Sequence, residues 1–380
     1  MQRSTDRILT THTGSLPRPP ELAALLVAQE TGQPYNRQAL PMQIRHAVAE
    51  VVRKQHATGL DVINDGEMSK FFYATYIKDR LTGFAGESLT RPIADARDFP
   101  DYAKRTNTTS RSMRRTPACT GPITYQGAEA VARDIDNLTT ALQDVQPQEA
   151  FMTAASPGVV ALFLQNQYYA SEAAYLYAIA EAMKPEYMAI HQAGFLLQVD
   201  CPDLAMGRHF QFADDDLDTF LRRAALNVEV LNAALADIPP ERLRLHLCWG
   251  NYEGPHHWDV PLQKIIDIVL RARPLAISFE AANPRHAHEW NVFEHITLPE
   301  GTLLMPGVID STTNYIEHPE LVAERLVRFA HLVGRENVIA CVDCGLSTSA
   351  VSNKLDPAIA WAKLQSLVEG ARLASAQLWA

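Results

Sequence analysis

Apolar residues in this chain gather in short runs that end in a polar, glycine- or proline-bearing segment, and a helical pattern follows most of them. Eight such run ends occur: ILTTHTGS (8–15), LDVINDGE (60–67), AFMTAASPG (150–158), FLLQVDCP (195–202), LRLHLCWG (243–250), LAISFEAA (275–282), TLLMPGVID (302–310) and VIACVDCG (338–345). Apolar spacing predicts helices over 218–236, 261–272, 319–333 and 357–373. Pro319 and Pro357 open two of them, in a first turn where proline sacrifices no hydrogen bond. Strands alternating with helices pair in parallel. Eight of them favour a closed (β/α)8 TIM barrel over an open doubly wound sheet. The runs are apolar, whereas their ends are rich in His, Asp, Glu, Cys and Ser. In such barrels the residues just past the strand C-termini form the active site. We therefore expect residues 1–380 to form one catalytic barrel.

Two regions break the repeat. Residues 16–58 hold two helical stretches between the first and second strands. Residues 84–149 form an insertion after the second strand, rich in Arg, Asp and Pro around 91–116, with a hairpin expected at ACTGPITYQG (118–127). Long insertions of this kind build binding walls, so this one is read as part of the substrate pocket or as a contact in a homo-oligomer.

Composition narrows the function classes. The formal net charge is −10, and no Lys/Arg-rich run offsets it, so neither nucleic acid nor an anionic membrane is an expected partner. No apolar run approaches the roughly 18–20 residues that span a bilayer. The opening residues carry no charged-then-apolar signal pattern, and a cytoplasmic location is expected. No GxGxxG or GxxxxGK[ST] loop occurs. Five cysteines, an odd and sparse count, point to reduced thiols and leave them free for metal.

His246 and Cys248 lie two apart at the end of one predicted strand, where side chains i and i+2 share a face. Glu280 ends the next strand and Cys344 the last. Barrel closure would gather these four ends, supplying N, S, O and S donors, a tetrahedral set suited to zinc. Cys341 alternates into the strand interior and reads as core, and Cys119 has no donor partner in sequence. A zinc with two thiolates and no water-activating base suits thiol chemistry better than hydrolysis. The expected mechanism has the metal activate a substrate thiol as thiolate, with the glutamate loosened to open a position.

Several segments carry a resemblance: TGSLPRP (13–19), GLDVINDGE (59–67), RLTGFAG (80–86), CTGPI (119–123), QVDCP (198–202), HLC (246–248), FE (279–280), PGVID (306–310) and VDCGL (342–346). In order and over nearly the whole chain, they resemble the catalytic half of the cobalamin-independent methionine synthase family. The series His246, Cys248, Glu280, Cys344 matches that family's zinc site, and the resemblance implies the same barrel. It also implies methionine biosynthesis, with Ser15 holding the amino-acid carboxylate and Glu67 and Asp200 the ammonium. Asp310 takes a supporting rim position. The sequence departs from the family on the donor side. Asp-Glu-Pro becomes Asp200-Cys201-Pro202, and the histidine after the seventh strand is replaced by Ser311-Thr312-Thr313-Asn314. The tryptophan-bearing pterin segment gives way to Phe163, Gln165, Asn166, Tyr168 and Tyr169, which read as a helical core stripe.

The leading expectation is thus a zinc-dependent transferase that moves a methyl or alkyl group from a donor to a small-molecule thiol, homocysteine or a close relative. An alternative keeps the zinc and thiol but uses an epoxide, as in coenzyme M transferases. A hydrolytic zinc barrel would carry HxH at the first strand, where this chain has His12-Thr13-Gly14. A metal-free decarboxylase would lack the four donors, and a binding protein or structural zinc would show no open position. Of the other histidines, His12 at the first strand's end is a candidate for the pocket but reads more readily as structural. His256 and His257 fall in a loop where exposure is favoured over substrate contact, and His286, His288 and His295 read as surface or cap residues of a helix.

Overall fold

The computed structural model describes residues 1–89, 93–106, 116–351 and 354–380. Each of the eight apolar runs forms a strand: β1 (Leu9–Thr10), β2 (Val62–Ile63), β5 (Glu149–Ala155), β6 (Leu196–Asp200), β7 (Leu243–His246), β8 (Ala276–Phe279), β9 (Leu303–Ile309) and β10 (Ile339–Val342). They lie in the order β1-β10-β9-β8-β7-β6-β5-β2, and every adjacent pair is parallel. This is a (β/α)8 barrel.

The seam between β1 and β2 has no ladder and is stitched by Asp61. Its N–H donates to the Thr10 carbonyl at 3.1 Å. Its carboxylate accepts from the Thr10 N–H at 2.8 Å and from both arms of the Arg7 guanidinium. Inside the barrel Arg244 fills the floor, 3.9 Å over the Phe151 ring, donating to the Thr11 hydroxyl and the His12 carbonyl.

Helices wrap the strands, and their ends follow their caps. The Ser156 hydroxyl accepts from the Val159 N–H to start α6 (Pro157–Phe163). The His318 and Asp356 side chains cap α11 (Pro319–Val333) and α12 (Pro357–Leu378), each with proline in the first turn. The two helices expected in 16–58 are α1 (Pro20–Glu30) and α2 (Ala39–Thr58). No helix among the described residues is long and apolar enough to cross a membrane.

The insertion differs from its sequence pattern in two ways. Helix α5 (Ala128–Ala141) belongs to the barrel repeat, leading into β5, so the added material is shorter than 84–149. The hairpin is not internal to 118–127: β3 (Phe84–Ala85) pairs antiparallel with β4 (Ala118–Cys119). Residues after β4 return beside Leu81, which bridges to Tyr125. Thr120 and Gly121 both donate to the Gly83 carbonyl, so the turn is anchored on the segment before the insertion. Of the Arg/Asp/Pro-rich stretch, 91–92 and 107–115 lie outside the described residues. Within it, α3 (Ala94–Asp98) and α4 (Pro100–Arg105) are short helices.

Candidate functional site

Strand pairing continues past β7, because the Leu247 N–H donates to the Ser278 carbonyl at 2.8 Å. Alternation is thereby preserved, and His246 and Cys248 share the inward face. From β10, Cys344 meets them. His246 Nε2 is 3.4 Å from Cys344 Sγ, and the two sulfurs are 3.4 Å apart. Among the described residues these three form a group of metal-ligating type, all buried, with donor atoms within 4.8 Å of one another. All five cysteines are free. Burial, with the Arg244 charge beneath, pushes His246 down to about 3 and keeps its imidazole neutral, the form that ligates. The Cys344 contact and burial hold the Cys248 thiol well above its ordinary value. At Cys344 the Cys248 contact pulls downward, but burial and Glu280 outweigh it and the net shift is upward. Without a cation, both sulfurs therefore hold protons. His246 Nδ1 is buried with no partner. A nitrogen and two sulfurs, buried together and in need of a positive charge to ionise, fit a zinc ion.

Glu280 is buried beside Cys248 but stands outside that three-donor group. Its Oε1 accepts from the Trp249 N–H at 2.7 Å and its Oε2 from Asn283 Nδ2 at 2.8 Å. Burial and the neighbouring Cys248 raise it well above the usual carboxylate range.

Ser15, Glu67 and Asp200 line one cleft with His246, Cys248 and Cys344. Thr13, Tyr73, Asn251 and Thr348 also line it and had escaped the sequence reading, since no spacing marks a loop residue as inward. Glu67 has a left-handed backbone, φ 57°, unusual for a residue with a Cβ. Arg18 Nη2 holds its carbonyl, and the Thr153 hydroxyl donates to Oε1 at 2.6 Å. Lys70 Nζ donates to Thr153 and lies 3.9 Å from that same oxygen. Oε2 is left buried without a partner. Asp200 accepts from Gln198 Nε2 at 2.9 Å, and burial plus the Glu67 charge push it up to about 8. Glu67 and Asp200 share one nearby lysine, and their mutual repulsion in this buried cleft is what a bound cation would relieve.

The histidines divide. His12 is buried and does not line the cleft, in keeping with its structural reading. His286 is no surface residue. It is buried against Trp249, with Glu289 on one nitrogen and Asp259 on the other, because a 3₁₀ turn (Glu289–Glu294) replaces the expected helix. His257 is exposed, as expected, and pairs with Asp95 and Asp98, whereas His256 is half-buried and pairs with Asp259. His288 and His295 are exposed. The segment after Phe163 is not a helical stripe, since α6 stops there. Gln165 turns back to bond Leu89, and Tyr168 is exposed. Asp310 stays at the rim, where its carboxylate accepts from Thr312. Cys341 is core, as expected, and Cys119 is buried with its sulfur on the Gly121 carbonyl.

A (β/α)8 barrel with a soft-donor cluster at the C-terminal ends of its strands, under a carboxylate-lined cleft, defines the class. The family model described as the cobalamin-independent synthase catalytic domain matches residues 8–372, and the chain belongs to that family. It is 24% identical over 372 residues to the methionine synthase of Saccharolobus solfataricus, covering 97% of this chain and 95% of that one. The methionine synthase of Thermococcus kodakarensis is 23% identical over 370 residues, covering 97% and 94%. Among solved structures, a B12-independent methionine synthase from Shewanella sp. W3-18-1, in complex with selenomethionine, superposes with a TM-score of 0.73. It shares 20% identity and covers 98% of this chain and 99% of its own. A putative vitamin-B12 independent methionine synthase from Listeria monocytogenes gives a TM-score of 0.66 at 17% identity, covering 96% and 98%.

Proposed function

We propose that this protein is a zinc-dependent methyl- or alkyltransferase that acts on the thiol of homocysteine or a close relative, residues 1–380 working as one catalytic unit. The observation that carries the reading is the convergence of His246, Cys248 and Cys344 at a cleft also lined by Ser15, Glu67 and Asp200. His246, Cys248 and Cys344 would hold the metal, with Glu280 as the fourth donor. Zinc there supplies a Lewis acid that brings an incoming thiol's ionisation into the neutral range.

The chain's own residues do the rest. The Ser15 hydroxyl donates to the substrate carboxylate. Glu67 Oε2, buried and without a partner, and Asp200 accept from the substrate ammonium. Fixing both ends of an amino acid leaves its sulfur one direction to point, toward the cluster. Orientation of this kind contributes several kcal/mol to a displacement, on the order of 7–11 at best. The substrate sulfur bonds to the donor's methyl or alkyl carbon as the bond from that carbon to the rest of the donor breaks, and the donor departs with the electron pair of that bond. An acidic cleft favours a thiol bearing an ammonium over the sulfonate thiol of the epoxide alternative, which two carboxylates repel.

X-ray absorption on the zinc-loaded protein tests this reading. Homocysteine should add a sulfur scatterer to the metal shell, and a shell unchanged by any of a panel of thiols would refute it. Cys248→Ser and Cys344→Ser should each lower zinc retention and turnover by more than about 100-fold, beyond the loss typical of outer-shell partners. The far-ultraviolet circular dichroism should stay that of the barrel. Full zinc and full turnover in both variants would remove these ligands from the scheme.

A further inference from the structure

Glu280 presents a puzzle within the proposed metal reading: it is buried next to Cys248, yet both of its oxygens already have donors. One donor, the Trp249 N–H, belongs to the strand end that carries Cys248. The other is a side chain, Asn283 Nδ2, at 2.8 Å from Oε2.

The Asn283 amide is itself tightly fixed. Its Nδ2 also reaches Asp343 Oδ2 at 3.1 Å, so its two hydrogens bridge two buried carboxylates. Its backbone N–H donates to the same Asp343 oxygen at 2.9 Å, while the N–H groups of Ala281 and Ala282 converge on Oδ1 at 2.8 Å each. Asp343 thus gathers the whole turn that follows Glu280. Asp343 has little room to shift, because a Cβ at Gly307 of β9 would lie 2.2 Å from its Oδ1. The link joins the ends of β8 and β10, the latter continuing directly into Cys344. Asn283 Oδ1 separately accepts from the Arg285 and His286 N–H groups, so the residue has one polar end for the turn and one for the carboxylates.

We propose that Asn283, anchored by Asp343, is a positioning residue that competes with the metal for the Glu280 carboxylate, so that the substrate thiol can take that position. This rests on the metal reading above and adds to it the residue that sets the competition. A hydrogen bond to a buried carboxylate matters by about 10- to 100-fold in an equilibrium. Removing the amide frees one oxygen of Glu280 and favours its use on the metal.

The test compares wild type, Asn283→Ala, Glu280→Ala and the double variant, each loaded with zinc or with Co2+ as a spectroscopic stand-in. Chelator competition reads zinc affinity, and the Co2+ absorption spectrum reads homocysteine binding. Asn283→Ala should bind zinc about 10-fold more tightly and homocysteine about 10-fold more weakly, within the range above. In the Glu280→Ala background the same substitution should change neither. Asn283→Ser keeps a side-chain oxygen for the Arg285 and His286 N–H groups but has no amide to reach Glu280, and it should shift both constants in the same directions if the alanine variant folds poorly. Constants unchanged in both variants, or equal shifts with and without Glu280, would overturn the assignment. Retention of metal by Cys248→Ser would instead refute the metal reading beneath it.

Discussion

Single side chains here divide by what their neighbours leave unsatisfied. His12 is the clearest closed case. Its Nδ1 accepts from the Gly14 N–H at 3.2 Å, so Nε2 carries the proton and donates to Gln55 Oε1 at 2.7 Å. Burial pushes it down to about 3. The folded value lies below the unfolded one, so this stability is complete above the ordinary histidine value and is lost as pH falls toward the folded value. Between pH 7 and pH 5 the loss is on the order of 2 kcal/mol. His12→Gln should therefore be less stable than wild type near neutrality but show a flatter acid limb when melting temperature is followed against pH. Parallel limbs would show that His12 does not titrate as described. Among the open cases, Glu67 Oε2 belongs to a residue that lines the cleft and is free to take a ligand, while His246 faces the sulfurs through Nε2. His246, Cys248 and Cys344 were legible in the sequence because donor type and strand-end placement coincide. Lys70, Thr153 and Asn283 were not, since their significance is a partner that only folding supplies.

At the level of strands and helices, legibility tracked how local the determining contacts are. Helix α11 begins and ends where the periodicity and Pro319 predict, and α12 begins at Pro357, because their caps lie within a turn of the boundary. The hairpin was misread because the partner of Ala118–Cys119 lies across the insertion, where no local rule reaches. Gly370 shows the same limit in energetic form. In an exposed helix, Gly→Ala gains about 1 kcal/mol. Here the new Cβ would sit 2.3 Å from Val322 Cγ1 of α11, a contact no real structure tolerates. Overpacking costs about 1–3 kcal/mol and reverses the sign. Gly370→Ala should lower the urea midpoint, the net loss of unfolding free energy being on the order of 1 kcal/mol. A raised midpoint would mean that the two helices can part at no cost.

For the molecule as a whole, closure of the barrel depends on one aspartate more than on any ladder at its seam. Asp61 satisfies the Thr10 N–H and hydroxyl and meets Arg7, while its carbonyl accepts from Gln148. Asp61→Ala would leave a buried N–H without a partner and remove a charged acceptor, a loss of about 2–4 kcal/mol. Chemical denaturation of the two proteins measures it. A difference below about 0.5 kcal/mol, the usual range for surface substitutions, would show that the seam holds through its other contacts, such as the backbone bond to Thr10 and the Thr11 hydroxyl on the Val62 carbonyl. The sequence by itself determined eight strands, their alternation with helices, and which strand ends carry His, Cys and Glu, because hydrophobic periodicity and residue chemistry are properties of short segments. Only the tertiary structure decided that three of those donors meet, that Asn283 and Trp249 share the Glu280 carboxylate beside them, and which loop residues wall the cleft. Those outcomes depend on contacts between segments remote in the chain, whose geometry arises when the barrel closes.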